Sequence, residues 1–128
     1  MWYQCSPTGY TPQQNCDYMH QLTAQFKKYN VNIAIAADPK VWNDQFGSVC
    51  TDLSTFPLHW VAGDNSASFS NFKAFGGWTT PTVKLYQYGA TVCNSNVDLT
   101  YRAWCIKKHN HLLIIVKYEY ERIKIDLI

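Results

Sequence analysis

The run Asn32-Ile33-Ala34-Ile35-Ala36-Ala37 constrains the fold more than any other feature of this chain. It is short, small and apolar without alternation, the pattern of a strand covered on both faces rather than of an edge strand with one wet side. Such a strand needs a layer on each side. Upstream, Asn15 can cap a helix in which Tyr18, Met19, Leu22, Phe26 and Tyr29 recur at three- and four-residue steps, with Lys27 and Lys28 near its C-terminal end. Downstream, Asp38-Pro39 reads as an N-cap followed by proline at the first helical position, and Trp42 and Phe46 stand four apart before Gly47 stops the turn. Residues 56–62 read as a second buried strand, closed by the turn Gly63-Asp64-Asn65. Phe69 and Phe72 mark a short helical turn, Gly76-Gly77 a break, and residues 82–86 a third strand. Strands alternating with helices predict an α/β class with parallel crossovers. A chain of 128 residues that is 47% hydrophobic has enough apolar material for one domain with a real core.

Charge excludes one class of partner. Residues 1–102 carry six basic and six acidic side chains, and residues 103–128 carry five basic and three acidic ones, so the net charge of +2 lies wholly in the C-terminal segment. The first 102 residues therefore offer no basic field for nucleic acid. The Leu112 to Val116 run is too short to span a membrane. All six acids before residue 103 are Asp, and the two Glu are Glu119 and Glu121. Five cysteines, few charges and abundant Tyr, Trp, Ser, Thr and Asn fit an oxidising extracellular or luminal compartment, although Met1 to Tyr10 shows neither the basic start nor the apolar run of a secretory leader. Cys5, Cys16, Cys50 and Cys93 read as two disulfides in any of three pairings, with Cys105 left over. No Cys-x-x-Cys pair stands in the chain, so neither a metal nor another cofactor is expected.

Parallel α/β folds place their chemistry just beyond the strand C-termini. Asp38, Asp64 and the surroundings of Trp60 fall there, and Asp98 stands in Asn96-Val97-Asp98-Leu99 after an Asn and Ser loop. Asp38 reads first as a helix cap and Asp64 equally well as a turn former. Trp42, Trp60 and Trp78 are core aromatics by default, while Trp60 and Trp78 can also line a sugar cleft, because a ring has a flat apolar face. His20 and His59 have no Ser or Cys at a triad motif.

Several segments, in order and at matching spacing, carry a resemblance: Pro57-Leu58-His59-Trp60-Val61-Ala62-Gly63-Asp64-Asn65, then Phe75-Gly76-Gly77-Trp78, Pro81-Thr82-Val83-Lys84, Thr91-Val92-Cys93 and Val97-Asp98-Leu99. Over about residues 4 to 102 the chain resembles the C-terminal half of eukaryotic and protist lysozymes of glycoside hydrolase family 25. The resemblance implies part of a TIM-like (β/α) barrel that acts on the β-1,4 bond between N-acetylmuramic acid and N-acetylglucosamine of bacterial cell-wall peptidoglycan. It makes residues 1–102 a partial lysozyme-like domain and residues 103–128 an unrelated extension. Asp98 matches the family's late active-site Asp, which positions or stabilises the reacting sugar, and is the expected catalytic residue; Trp60, Asp64 and Trp78 are the expected substrate-binding residues. The resemblance pairs Cys50 with Cys93 and leaves Cys5 for Cys16.

The chain also departs from the family pattern. Gln4-Cys5 matches the segment after the family's Asp-x-Glu pair, which puts Met1, Trp2 and Tyr3 where that pair belongs. Ala36 stands in place of a Tyr, Leu85 in place of a Gln, and His59-Trp60 in place of Trp-Tyr. Glycoside hydrolysis needs one carboxyl to protonate the leaving oxygen and another group to stabilise the positive charge at the sugar carbon. With no Glu before residue 119, the expectation is a lysozyme-like domain that does not cleave peptidoglycan by itself, the alternative being a non-catalytic binder of cell-wall glycan. The resemblance implies a secreted or a lysosomal or phagosomal location.

Overall fold

A computed structural model describes residues 9–103 with their side chains and the backbone of residues 124–127. The order of elements is α1 (Pro12–Lys28), β1 (Ile33–Ala37), α2 (Pro39–Phe46), a 3₁₀ helix (Thr51–Thr55), β2 (Leu58–Val61), β3 (Val83–Val92), β4 (Ser95–Tyr101) and β5 (Lys124–Leu127). They form a mixed α/β fold with one sheet in the order β4-β3-β2-β1-β5. β1, β2 and β3 are mutually parallel, and β4 and β5 flank them antiparallel. Three adjacent parallel strands are compatible with a section of a barrel.

Each local structure has a sequence cause. β1 is buried at all five positions, as an unalternating apolar run requires. Asp38 caps α2 by accepting the N–H groups of Lys40 at 2.8 Å and Val41 at 3.0 Å, with Pro39 behind it. α1 begins earlier than expected. Thr11 is the N-cap, in a reciprocal box with Gln14, and Pro12 opens the helix. Asn15 lies inside the helix instead and donates its side-chain amide to the Gln45 carbonyl of α2 at 2.9 Å. The buried stripe is Cys16, Met19 and Thr23, at three- and four-residue steps, while Tyr18 and Tyr29 are exposed. Leu22 and Phe26 still pack on the core, as their spacing predicts.

The link from β2 to β3 differs most from a regular β/α unit. Residues 62–82 contain a turn at Phe69–Phe72 and a short bridge between Phe75 and Trp78, but no helix. Aromatic rings supply the covering layer that a helix would give. Trp60 meets Phe72 at 5.1 Å, Phe72 meets Phe75 at 5.9 Å, Phe75 meets Trp78 at 5.7 Å, and Trp78 meets Trp42 of α2 at 4.8 Å. Gly76 permits this closeness, because its φ is positive and a Cβ there would lie 2.6 Å from Trp42 Nε1 and 2.8 Å from Trp78 Cζ3.

β3 also runs further than expected, to Val92, and returns as β4 through the two-residue turn Cys93-Asn94. Both turn residues have positive φ, 49° and 59°, the backbone that matches the twist of a tight hairpin.

The turn position corrects the expected disulfides. The structure joins Cys16 of α1 to Cys50, next to the 3₁₀ helix, with Cα atoms 5.5 Å apart. Cys93 is a free thiol exposed at the hairpin tip, so it pairs with neither, and Cys5 lies outside the described residues. The helix register explains the choice, since it buries Cys16 on the face that meets Cys50. A cross-link closing 34 residues of separation restricts the unfolded chain strongly. Replacing Cys50 by Ser is expected to lower the unfolding free energy by about 2–4 kcal/mol in urea titrations. Non-reducing peptide mapping should recover a fragment linking Cys16 to Cys50.

Candidate functional site

Strand register sorts the sheet residues onto two faces. Ala37, Trp60, Lys84 and Tyr101 form one row across four strands, and with Ile33, Ile35 and Leu58 they face the helices and the β2–β3 loop. Ala36, His59 and Val83 form the adjacent row on the opposite face, and Val61, Leu85 and Thr100 the next. Ala36, Val61 and Leu85 pack there as a separate apolar cluster. By the same alternation along β4, Asp98 lies on the face of Thr100 and Asn96. Asp98 thus shares its face with Ala36, His59 and Leu85, three of the four positions that depart from the pattern given above; the fourth, Trp60, lies on the other face.

Three aspartates stand toward the C-terminal ends of the parallel strands, and each is held differently. Asp38, directly after β1, is a helix cap. Asp64, in the turn after β2, accepts the ammonium of Lys84 at 2.7 Å and the side-chain amide of Asn71 on Oδ2, and the N–H of Ser66 at 3.0 Å on Oδ1. Lys84 is wholly buried on the middle of the sheet, yet every N–H has an acceptor: Asp64, the Ser68 carbonyl at 2.8 Å and Asn71 Oδ1 at 3.0 Å. Its Nζ also stands 4.4 Å from the centroid of the Trp60 ring. Burial pushes the Asp64 carboxyl up, but the hydrogen bonds from Lys84, Asn71 and Ser66 and the Lys84 charge outweigh it and hold it below the ordinary carboxylate range. The turn itself is tied to β3 by the N–H groups of Ala62 and Gly63 on the Leu85 carbonyl and of Asn65 on the Tyr86 carbonyl.

Asp98 is held by a β-bulge. The β3–β4 register slips between Leu85 and Gln87 and again between Gln87 and Ala90, both times with the extra residue on β3. Within the second slip Gly89, at φ 62°, turns its N–H onto Asp98 Oδ1 at 2.9 Å. Among the described residues, Asp98 Oδ2 is buried without a hydrogen-bond partner. Of the three carboxylates, this is the one with a buried oxygen left unpartnered.

The remaining expected residues lie elsewhere. Trp60 and Trp78 are 6% and 4% exposed, so neither presents an open ring face. Trp60 is in contact with Lys84 and, edge to face, with Phe72, and Trp78 Nε1 donates to the Phe56 carbonyl at 2.9 Å. Sequence reading overlooked Lys84, whose signal was a lone cation in the apolar-flanked run Thr82-Val83-Lys84-Leu85. It also overlooked His20 and Asp52, which pair at 2.9 Å beside the disulfide. Their signal was Cys16 and His20 one helical turn apart and Cys50 and Asp52 two residues apart.

The Asp64–Lys84 pair can be tested by three substitutions. Asp64→Ala strands a wholly buried ammonium and should cost about 3–5 kcal/mol by denaturant unfolding. Lys84→Met should cost less, because the Asp64 side chain is 27% exposed and water replaces the lost cation. Because the folded carboxyl titrates below its unfolded value, its contribution is complete above about pH 4 and is lost as pH falls through the lower folded value. Asp64→Asn should therefore flatten the acid limb of a stability–pH curve below about pH 4 while leaving its slope at neutral pH unchanged.

Comparison with known proteins gives this geometry a family. A family model described as lysozyme-like protein 1 matches residues 2–86. The chain is 34% identical over 92 residues to probable GH family 25 lysozyme 3 of Dictyostelium discoideum, covering 71% of this chain and 19% of the relative. It is 32% identical over 88 residues to probable GH family 25 lysozyme 2 of the same organism, covering 69% and 41%. Lysozyme-like protein 5 of Caenorhabditis elegans is 29% identical over 90 residues, covering 68% and 41%. The chain thus spans less than half the length of these relatives. No solved structure matches it. The chain belongs to the lysozyme-like proteins of the glycoside hydrolase family 25 type.

Proposed function

We propose that this chain carries the C-terminal half of a TIM-like lysozyme barrel, engages bacterial cell-wall peptidoglycan through Asp98, and does not cleave the glycan by itself. The observation that carries the reading is the state of the Asp98 carboxylate: Oδ1 is fixed by Gly89 while Oδ2 has no partner among the described residues. A carboxylate held by one oxygen has the other for a sugar hydroxyl or for charge developing at the anomeric carbon. Its position on β4, beside the ends of parallel strands and on the face away from the helices, supports a role in a barrel mouth.

Hydrolysis needs a second group. Asp38 is occupied by a helix end and Asp64 by Lys84, and residues 1–118 contain no Glu. One Asp does not serve at once as proton donor and as stabiliser of positive charge. Asp64 acts through position, by holding the β2–β3 loop against the sheet next to the glycan. The cross-linked core supports a secreted or a lysosomal or phagosomal location. Among the described residues no helix is long and apolar enough to cross a membrane.

Sedimentation with insoluble peptidoglycan and clearing of a wall suspension test the reading together. The chain should co-sediment, Asp98→Asn should weaken that binding about tenfold or more, consistent with loss of a charge-assisted hydrogen bond, and turbidity should stay constant. Clearing that Asp98→Asn abolishes would overturn the inactive reading, and absence of co-sedimentation would overturn the glycan reading.

A further inference from the structure

The disulfide joins two segments that each bring a second metal-ligating group to the same place. Cys16 and His20 sit one turn apart on α1, and Cys50 and Asp52 two residues apart at the start of the 3₁₀ helix. The two sulfurs, a His20 ring nitrogen and an Asp52 carboxylate oxygen all lie within 4.8 Å of one another. His20 Nε2 is 3.8 Å from Cys16 Sγ and 2.9 Å from Asp52 Oδ2. Two sulfurs, one imidazole and one carboxylate form a four-ligand set of the types zinc prefers, and tetrahedral zinc with Zn–S of about 2.3 Å needs its sulfurs about 3.8 Å apart. Scission of the S–S bond and small side-chain rotations supply that spacing while both Cα positions stay close.

We propose that reduction of the Cys16–Cys50 disulfide converts this cluster into a zinc site, so that the bond and the metal are alternative cross-links between α1 and the 3₁₀ helix. A dithiol reductant delivers two electrons and two protons, its own sulfurs become a disulfide, and Cys16 and Cys50 become thiols. Zinc then displaces two thiol protons and forms two Zn–S bonds, with no further change of oxidation state. The surroundings favour this exchange. Both sulfurs are buried while the His20 and Asp52 side chains are 43% and 65% exposed, giving a shielded thiolate side and an open entry side. His20 and Asp52 themselves line an open groove of about 260 Å³, together with Lys27 and apolar residues that include Leu53 and Phe56. The bound complex has one net negative charge from two thiolates and a carboxylate, and Lys27 in the groove wall offsets it.

Cobalt(II) as a spectroscopic stand-in for zinc tests the proposal on the full chain carrying Cys5→Ser, Cys93→Ser and Cys105→Ser, which leaves only the two cysteines in question. Reduction with a phosphine followed by cobalt should give thiolate charge-transfer absorption in the near ultraviolet, at one metal per chain, and zinc should displace it. The oxidised chain should give none. His20→Ala and Asp52→Ala, both at exposed positions, should each weaken binding by about tenfold or more, because each removes one of four ligands. Circular dichroism of the reduced chain should show helix content restored by the metal. A reduced chain without the charge-transfer band, unchanged affinity in both exposed variants, or a reduced chain that stays unfolded with metal present would each overturn the proposal.

Discussion

The buried ammonium of Lys84 is the constraint on which the neighbouring structure depends. An isolated cation in the middle of a sheet is prohibitively costly, so the chain around it must supply acceptors from fixed positions. The β2–β3 connection does this with Asp64, the Ser68 carbonyl and Asn71. A loop without a helix gains a single anchored course across the sheet, and the aromatic ladder from Trp60 to Trp42 follows that course. The same contacts occupy the Asp64 carboxylate, so the acid nearest the end of β2 becomes part of the frame. Network and aromatic layer are two halves of one solution, one satisfying polar groups and the other excluding water from them.

On the other face the chemistry is thinner. Ala36 and Leu85 stand at positions where the family pattern has Tyr and Gln, and they pack with Val61 into a small apolar cluster. Each change exchanges a hydrogen-bonding group for an apolar one on the face that carries Asp98. Local packing benefits, because apolar side chains there need no partners. The cost is that this face offers fewer directed hydrogen-bonding groups to any polar ligand. The Gly89 bulge still presents its N–H to Asp98, so the frame of a carboxylate site persists beside a simplified lining.

Much of the fold was legible in the chain. β1, α2 with its Asp38 cap and the Gly63-Asp64-Asn65 turn followed from run length, capping chemistry and turn residues, which are local causes with local effects. The Thr11-Pro12-Gln13-Gln14 signature marks the start of α1, and the spacing of Cys16, Met19 and Thr23 is that of one helix face, but which face the sheet covers depends on distant contacts, and with it the cystine pairing. Lys84 could not be assigned locally, since its acceptors lie 13 to 20 residues away. Nor could the length of β3: Gly89 reads as a break in isolation and as a bulge only when β4 lies beside it. At the candidate site, Asp98 was visible by resemblance, but its unequal oxygens depend on that bulge.

One arrangement at the far side of the sheet bears on how this chain meets others. β5 is antiparallel to β1, opposite Ile33, Ala34, Ile35 and Ala36. Those ladder positions are therefore occupied, and any further strand approaching β1, whether to extend a barrel or from a second molecule, must first displace residues 124–127. Strand exchange at this edge is a competition between a tethered occupant and a free one, and tethering raises the effective local concentration of the resident segment.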